Sequence, residues 1–289
     1  MNFSDIKTIG VIGSGTMGKG IAISTATAGF NTILYDISDE IISNAKASIE
    51  KDLQKGVEKN KITVEAKEQI LGRLYLTSDF NSFSGADFII EAAPESMDLK
   101  KKIFTDLDNI CRDDVIFSTN TSSLSITTIS TIVKKNPERV IGMHFFNPAN
   151  IMKLVEIVKG DFTSAEAIKT TTELTLAIKK VPVLAKDTPA FIVNRIARPF
   201  YGEALRILSE GTSDVKTIDS VMKSCGGFAM GPFELMDLIG IDVNFSVTKS
   251  VYDAFFNDAK YRPNFIQKKM VDANLLGRKT KKGFYNYEK

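Results

Sequence analysis

The sequence contains no tryptophan, a single histidine and two cysteines among 289 residues. Cys111 and Cys225 lie far apart and belong to no CxxC pair, so they build neither a disulfide framework nor a metal cluster. Two isolated thiols in a chain of this size fit a reducing compartment, and the cytoplasm is the expected location. No apolar run approaches the ~18 residues that a membrane span requires. The first strand-like run, Ile6 to Ile12, starts so near the initiator Met that no leader peptide is expected. Charge of one sign is lacking too. A net charge of +2 gives no general field for nucleic acid, although local clusters could hold one anionic ligand.

What is present is ordinary globular composition, 43% apolar and 25% charged, in a chain long enough for two domains of unequal size. The N-terminal part alternates short apolar runs with amphipathic stretches, the pattern of a parallel sheet covered by helices. Strands are predicted at Ile6–Ile12, Asn31–Tyr35, Phe88–Glu91, Val115–Ser118, Val140–Met143 and Leu154–Val158. A charged insertion occupies about Asp39 to Arg73. Within it Ala45, Ile49, Leu53 and Val57 recur every four residues, while Lys46, Lys51, Lys55 and Lys59 fall off that stripe, giving a helix with a basic outer face. Val181 to Pro189 holds a last short strand and a proline-marked break. From Phe191 the periodicity is helical, with helices or helix pairs at Phe191–Ser209, Val215–Ser224, Pro232–Phe256 and Asn264–Asn274. The expected architecture is α/β, a Rossmann-type doubly wound and mostly parallel sheet over residues 1–186, followed by an all-helical domain over 187–289.

Gly13-Ser14-Gly15-Thr16-Met17-Gly18 follows the first strand directly and opens a proline-free, alanine-rich run. Such glycines permit a tight turn and close backbone approach, so that a pyrophosphate can rest on a helix N-terminus. The second strand runs into Asp36, about 20 residues on, where a carboxylate can accept from both ribose hydroxyls. Strand, glycines and acid together point to a dinucleotide. The following Ile37, Ser38 and Asp39 offer no cation for a 2′-phosphate, which favours NAD over NADP.

His144 stands in Gly142-Met-His-Phe-Phe-Asn-Pro148, just beyond the predicted strand, where open α/β sheets bind ligands. An imidazole there suits proton transfer near neutral pH, although a lone histidine can equally be a satisfied core residue. Glu156 interrupts the apolar run Leu154 to Val158 and could fix the tautomer of His144 and stabilise its charged form, or serve only in a strand-end ion pair.

Taken together, these segments resemble the short-chain L-3-hydroxyacyl-CoA dehydrogenases, most like the bacterial 3-hydroxybutyryl-CoA group, over essentially the whole chain. The resemblance is carried by Val11–Gly18, Asn120-Thr-Ser-Ser-Leu-Ser-Ile126, His144–Pro148 with Met152–Glu156, Pro189-Ala-Phe-Ile-Val-Asn-Arg195, Met230-Gly-Pro-Phe-Glu-Leu235, and Gly277–Thr280 with Gly283–Tyr285. It implies His144 as general base, Glu156 as its partner, Asn194 at the reacting oxygen, and Ser122 touching both substrate and nicotinamide. Asn194 reads otherwise as a helix N-cap, and Thr121-Ser122-Ser123 as a capping loop. Counting back from His144 would select Ser123 in place of Ser122. The resemblance further implies cofactor contacts at Glu95, Lys100, Asn147 and Lys279, a CoA contact at Lys59, and a homodimer through the helical domain. Where the family has a serine on the projecting helices, this chain has Asp52, which would repel a phosphate, and Lys281-Lys282 adds charge near the cofactor end. The reaction implied is hydride transfer between a (3S)-3-hydroxyacyl-CoA and NAD, with no metal. The alternatives are a dehydrogenase for a free β-hydroxyacid and a non-catalytic NAD-binding protein.

Overall fold

The computed structural model describes residues 1–288 and divides into two compact units, the first ending at Thr188 and the second beginning at Pro189. The break falls two residues beyond the position expected from the sequence, because the last strand of the sheet is followed by a short turn in which the Asp187 carboxylate accepts from Ser125 Oγ and Thr127 N.

The first unit is an eight-stranded sheet in the order β3-β2-β1-β4-β5-β6-β7-β8. Its strands are β1 (Thr8–Ile12), β2 (Asn31–Tyr35), β3 (Leu74–Thr77), β4 (Phe88–Glu91), β5 (Ile116–Thr119), β6 (Val140–Phe145), β7 (Leu154–Lys159) and β8 (Val181–Lys186). All neighbours pair parallel except β6 and β7. The helices are α1 (Thr16–Thr27), α2 (Asp39–Glu58), α3 (Val64–Gly72), α4 (Met97–Ile110), α5 (Ile126–Ser130) and α6 (Ala165–Ala177). Ile9, Val11, Leu34, Ile90, Ile141, Met143 and Val155 from the strands meet Ile21, Ala22, Leu174 and Ile178 in one buried cluster, which fixes the faces of the sheet. Strand β3 is not foreseen by the sequence. Leu74, Leu76 and Thr77 are only partly covered, Tyr75 is exposed, and the strand pairs with β2 at the sheet edge, so little apolar patterning marks it.

The charged insertion forms two helices rather than one. Ser38 caps α2 through Ile41 N, and Thr63 caps α3 through Ala66 N. The predicted stripe is the inner face: Ala45, Ile49 and Leu53 are covered and Val57 is half-buried, while Lys46, Lys51, Lys55 and Lys59 are exposed. Ile49, Leu53 and Ile70 join the main core, so the pair of helices is anchored on the sheet unit rather than free-standing.

The second unit is built on helices α7 (Val193–Ser209), α8 (Val215–Ser224), α9 (Pro232–Ile239), α10 (Ile241–Ala254) and α11 (Phe265–Asp272), followed by a C-terminal segment with antiparallel bridges at Gly277–Lys282 and Lys282–Asn286. The Pro232–Phe256 stretch is a helix pair, divided at Gly240, whose φ of 102° lies in a region that side-chain-bearing residues avoid. Tyr201, Leu205, Ile218, Phe233, Met236 and Ile241 form its core. Two buried aspartates tie down its C-terminal segment. Asp219 accepts from the backbone of Phe233 and Glu234 and from Tyr285 OH, and Asp237 accepts from the backbone of Phe284 and Tyr285. Burial, with Asp219 nearby, pushes the Asp237 carboxyl above its ordinary range.

Candidate active site

The dinucleotide cradle begins where β1 meets α1. Gly13 has a φ of 92°, and a Cβ there would stand 2.7 Å from Ala92 O. A Cβ on Gly18 would fall 1.7 Å from Gly13 O, so only glycine lets the loop close against the helix. Gly15 caps α1 with no side chain, and a Cβ at that position would meet nothing within 4 Å. The start of α1 is therefore open, with Gly15 and Thr16 exposed and Met17 half-buried beside them. A pyrophosphate fits such a space.

Asp36 follows β2 and is held by the same loop. One carboxylate oxygen accepts from Ser14 N at 2.7 Å and from Ser14 Oγ at 2.8 Å, the other from Ile37 N at 2.8 Å. The acid is thereby fixed in orientation relative to the glycines.

A second rim is built at the ends of β4 and β5. One oxygen of Glu95 accepts from Thr121 Oγ1 at 2.6 Å, from the backbone N–H groups of Ser122 and Ser123 at 3.0 and 3.1 Å, and from the Ser123 hydroxyl at 3.0 Å. The Ser122 hydroxyl lies 3.3 Å from the same oxygen. Burial pushes the Glu95 carboxyl up, but these donors and Lys100 outweigh it and hold it below its ordinary range. Both serines thus sit on one anchored loop, and neither is a plain helix cap; Ser125 caps α5.

Lys100 does not face solvent. It is 1% exposed, and its ammonium is bound at 2.7 and 2.8 Å by the two oxygens of Glu91, with Glu95 at 3.6 Å. Glu91, 0% exposed, also accepts from Ala93 N and Thr119 Oγ1. Glu91 is a site residue that the sequence analysis does not single out, although an acid in the otherwise apolar strand Phe88–Glu91 is a signal of the same kind as Glu156.

His144 lies inside β6 rather than after it, and this corrects the expected strand end at Met143. The sheet rule for ligand placement also needs amending here, since β6 and β7 run antiparallel. That reversal sets His144 directly opposite Glu156 in the ladder. Cross-strand partners share a face, and their side chains meet with Nδ1 to Oε2 at 2.7 Å. Their neighbours Met143, Phe145, Val155 and Ile157 turn the other way, into the core. His144 is 6% exposed and Glu156 0%. A strand-end surface ion pair is therefore ruled out for Glu156. Asn120 supports the strand from the serine loop, its Oδ1 accepting from Phe145 N at 2.8 Å.

The connection between β6 and β7 carries Asn147, exposed and followed by a cis peptide bond to Pro148. Buried Lys180 donates to Ala149 O and Met152 O at 2.6 and 2.8 Å, fixing this connection. On α2, Asp52 lies 3.6 Å from Lys55, which offsets the negative charge expected to oppose a phosphate, and Lys59 is the exposed residue that ends the helix.

In the second unit Asn194 is the second residue of α7. The N-cap is Ile192, without a side-chain bond, so the capping reading of Asn194 fails. Lys279 donates to Asp242 Oδ2 at 2.6 Å.

Comparison with known proteins agrees with this arrangement. Residues 8–188 match the family model of the 3-hydroxyacyl-CoA dehydrogenase NAD-binding domain, and residues 191–287 match that of the 3-hydroxyacyl-CoA dehydrogenase C-terminal domain. The chain is 46% identical over 98% of its length to a 3-hydroxyadipyl-CoA dehydrogenase of Escherichia coli, of which it spans 59%. It is 44% identical to a 3-hydroxybutyryl-CoA dehydrogenase of Clostridioides difficile, covering 97% of this chain and 99% of that one. The crystal structure of an (S)-3-hydroxybutyryl-CoA dehydrogenase from Ralstonia eutropha superposes with a TM-score of 0.93 at 39% identity, covering 99% of this chain and all of that one. With the glycine cradle, the buried His144–Glu156 pair and both domain matches in sequence order, the chain belongs to the 3-hydroxyacyl-CoA dehydrogenase family of NAD-dependent oxidoreductases.

Proposed function

We propose that this chain interconverts (3S)-3-hydroxybutyryl-CoA and acetoacetyl-CoA with NAD(H), with His144 as the base. The observation that carries the reading is the buried pairing of His144 with Glu156. NAD supplies the hydride acceptor when bound. With Nδ1 engaged by Glu156, His144 takes the substrate hydroxyl proton at Nε2 as the C3 hydrogen departs with its electron pair and the C3–O bond becomes a carbonyl. Glu156 holds the ring in the required tautomer and stabilises its charged form. In reduction the same nitrogen returns the proton to the C3 oxygen.

Asn194 and Ser122 orient the reacting oxygens and the thioester, contributions of position and electrostatics. Gly13 to Gly18 and Asp36 hold the pyrophosphate and the adenine ribose. Glu95 and Asn147 line the nicotinamide side, Lys100 acts there through the carboxylates it pairs with, and Lys279 adds a further contact. Lys59 meets the CoA phosphates. Asp36 without a following cation supports NAD over NADP. Two unbonded thiols support a cytoplasmic location, and exposed Ile196, Phe256 and Phe265 on the helical unit support a homodimer formed through it.

The names of the relatives divide over the acyl end: butyryl in several, and adipyl, two carbons longer with a terminal carboxylate, in one from E. coli. NADH oxidation with acetoacetyl-CoA, set against free acetoacetate and with NADPH as control, tests the activity. His144→Gln should keep NADH binding while turnover falls about 10²- to 10⁴-fold. Near-normal turnover in that variant would remove His144 from the mechanism.

A further inference from the structure

Helix α7 carries a buried cation without an anion. Arg198 is 5% exposed, yet its acceptors are neutral: Nη1 donates to Asn244 O and to Thr248 Oγ1, both at 3.1 Å. Its remaining support is the Tyr201 ring, 4.9 Å from the guanidinium carbon. Arg198 Nε and Asn244 Nδ2 are both buried donors with no hydrogen-bond partner. Gln267 does not relieve the second, since its amide donates to Asn244 Oδ1 at 2.7 Å. Among the described residues no carboxylate bonds to this group, in contrast to the first unit, where buried Arg139 and Lys100 are paired with Asp108 and Glu91. Burial lowers the Arg198 pKa to about 10, which leaves the guanidinium charged at neutral pH.

Buried donors are almost always satisfied, and buried charges are almost always paired. A charged guanidinium with an idle Nε beside an idle amide therefore has the composition of a carboxylate receptor waiting for its ligand. Its place on α7 says which carboxylate. Arg198 follows Asn194 by four residues, so the two share a face of the helix one turn apart, about 6 Å along the axis. From C3 of an acyl chain to a carboxylate carbon at C6 there are three carbon–carbon bonds of about 1.5 Å each, with a hydrogen bond of about 2.8 Å beyond. That length fits one turn.

We propose that Arg198, with Asn244, recognises a terminal carboxylate on the acyl chain, extending the substrates beyond the four-carbon thioester to 3-hydroxy-dicarboxylyl-CoA thioesters of about six acyl carbons. This rests on the acyl-CoA reading above, with Asn194 at the reacting oxygen, and deepens it by assigning the far end of the chain. Arg198 is a specificity-determining residue and takes no part in proton transfer.

The test is the ratio of kcat/KM for 3-oxoadipyl-CoA to that for 3-oxohexanoyl-CoA, equal in length and differing in the carboxylate, with acetoacetyl-CoA as reference. Wild-type enzyme should favour the carboxylate at least tenfold. Arg198→Leu should lose most of that ratio through KM while keeping acetoacetyl-CoA turnover, and Arg198→Lys should keep part of it. A wild-type ratio near one overturns the proposal without any variant. Equal loss on all three substrates in a folded Arg198→Leu protein makes the residue structural and also overturns it. No turnover with any of the three overturns the underlying acyl-CoA reading instead, and this proposal with it.

Discussion

Glu156→Gln replaces a single carboxylate oxygen by an amide nitrogen at the centre of the proposed machinery. The site is dry, since Glu156 is 0% exposed, and the side chain keeps its length and shape, so packing should survive. What changes is the bond to His144, 2.7 Å long in the wild type. A hydrogen bond to a charged group is worth about 1.5–3 kcal/mol, and a neutral one about 0.5–1.5. The difference, roughly 1.5 kcal/mol of lost stabilisation of the protonated ring, corresponds to about tenfold in rate. If the amide presents its NH₂ group to Nδ1, the ring proton moves to Nε2 and the base is lost as well, so the fall can approach the whole general-base contribution of about 10²- to 10⁴-fold. The assay is NADH oxidation with acetoacetyl-CoA under single-turnover conditions, alongside NADH affinity by fluorescence titration. The rate constant should fall at least tenfold while NADH affinity stays within twofold. A rate within twofold of wild type would show that the cross-strand contact is structural only.

Three further outcomes are expected. Gly15→Ala should fold normally, because its Cβ meets nothing in the protein, yet bind NADH at least tenfold more weakly; unchanged affinity would mean that the open space at α1 is not where the pyrophosphate lies. Lys100→Met strands buried Glu91 without a countercharge and should cost about 3–5 kcal/mol in urea unfolding, with Glu91→Gln added to it restoring part; a cost under 1 kcal/mol would contradict the buried-pair account. Glu95, held below its ordinary range, contributes stability that is complete above its unfolded value of about 4.3 and is lost as pH falls through the lower folded value. Glu95→Gln should therefore be less stable than wild type near neutrality, and the gap should close in acid; a gap independent of pH would refute the assignment.

Much of the fold is legible in the chain because its signals are local. The glycines of the first turn, the alternating apolar strands and the stripe Ala45-Ile49-Leu53 each follow from a period or a steric need readable within ten or so residues. Strand β3 was not, since a short, half-covered edge strand has almost no pattern of its own. The break at Gly240 was left open for a related reason: an isolated glycine in a helical run reads only as a mild cost, and the positive φ is set by tertiary packing. At the site, His144, Glu156 and the glycine loop stood out by position. Their geometry was less plain, although the short 146–153 connection cannot make a parallel crossover and so marks β7 as reversed. The buried partners of Lys100 and the attachment of Glu95 to the serine loop depend on contacts between residues far apart in sequence, which spacing cannot reveal.

The antiparallel pairing of β6 with β7 has a consequence for how this chemistry can vary. Proton acceptor and carboxylate belong to one hairpin, twelve residues apart, and their meeting is decided by ladder register alone. A one-residue slip in either strand would send one member of the pair through to the opposite face and abolish it. Insertions in the 146–153 connection leave the ladder untouched. Length changes in that loop would act on Asn147 and on the carbonyls held by Lys180, not on the pair itself, whereas the two strands must be inherited in phase.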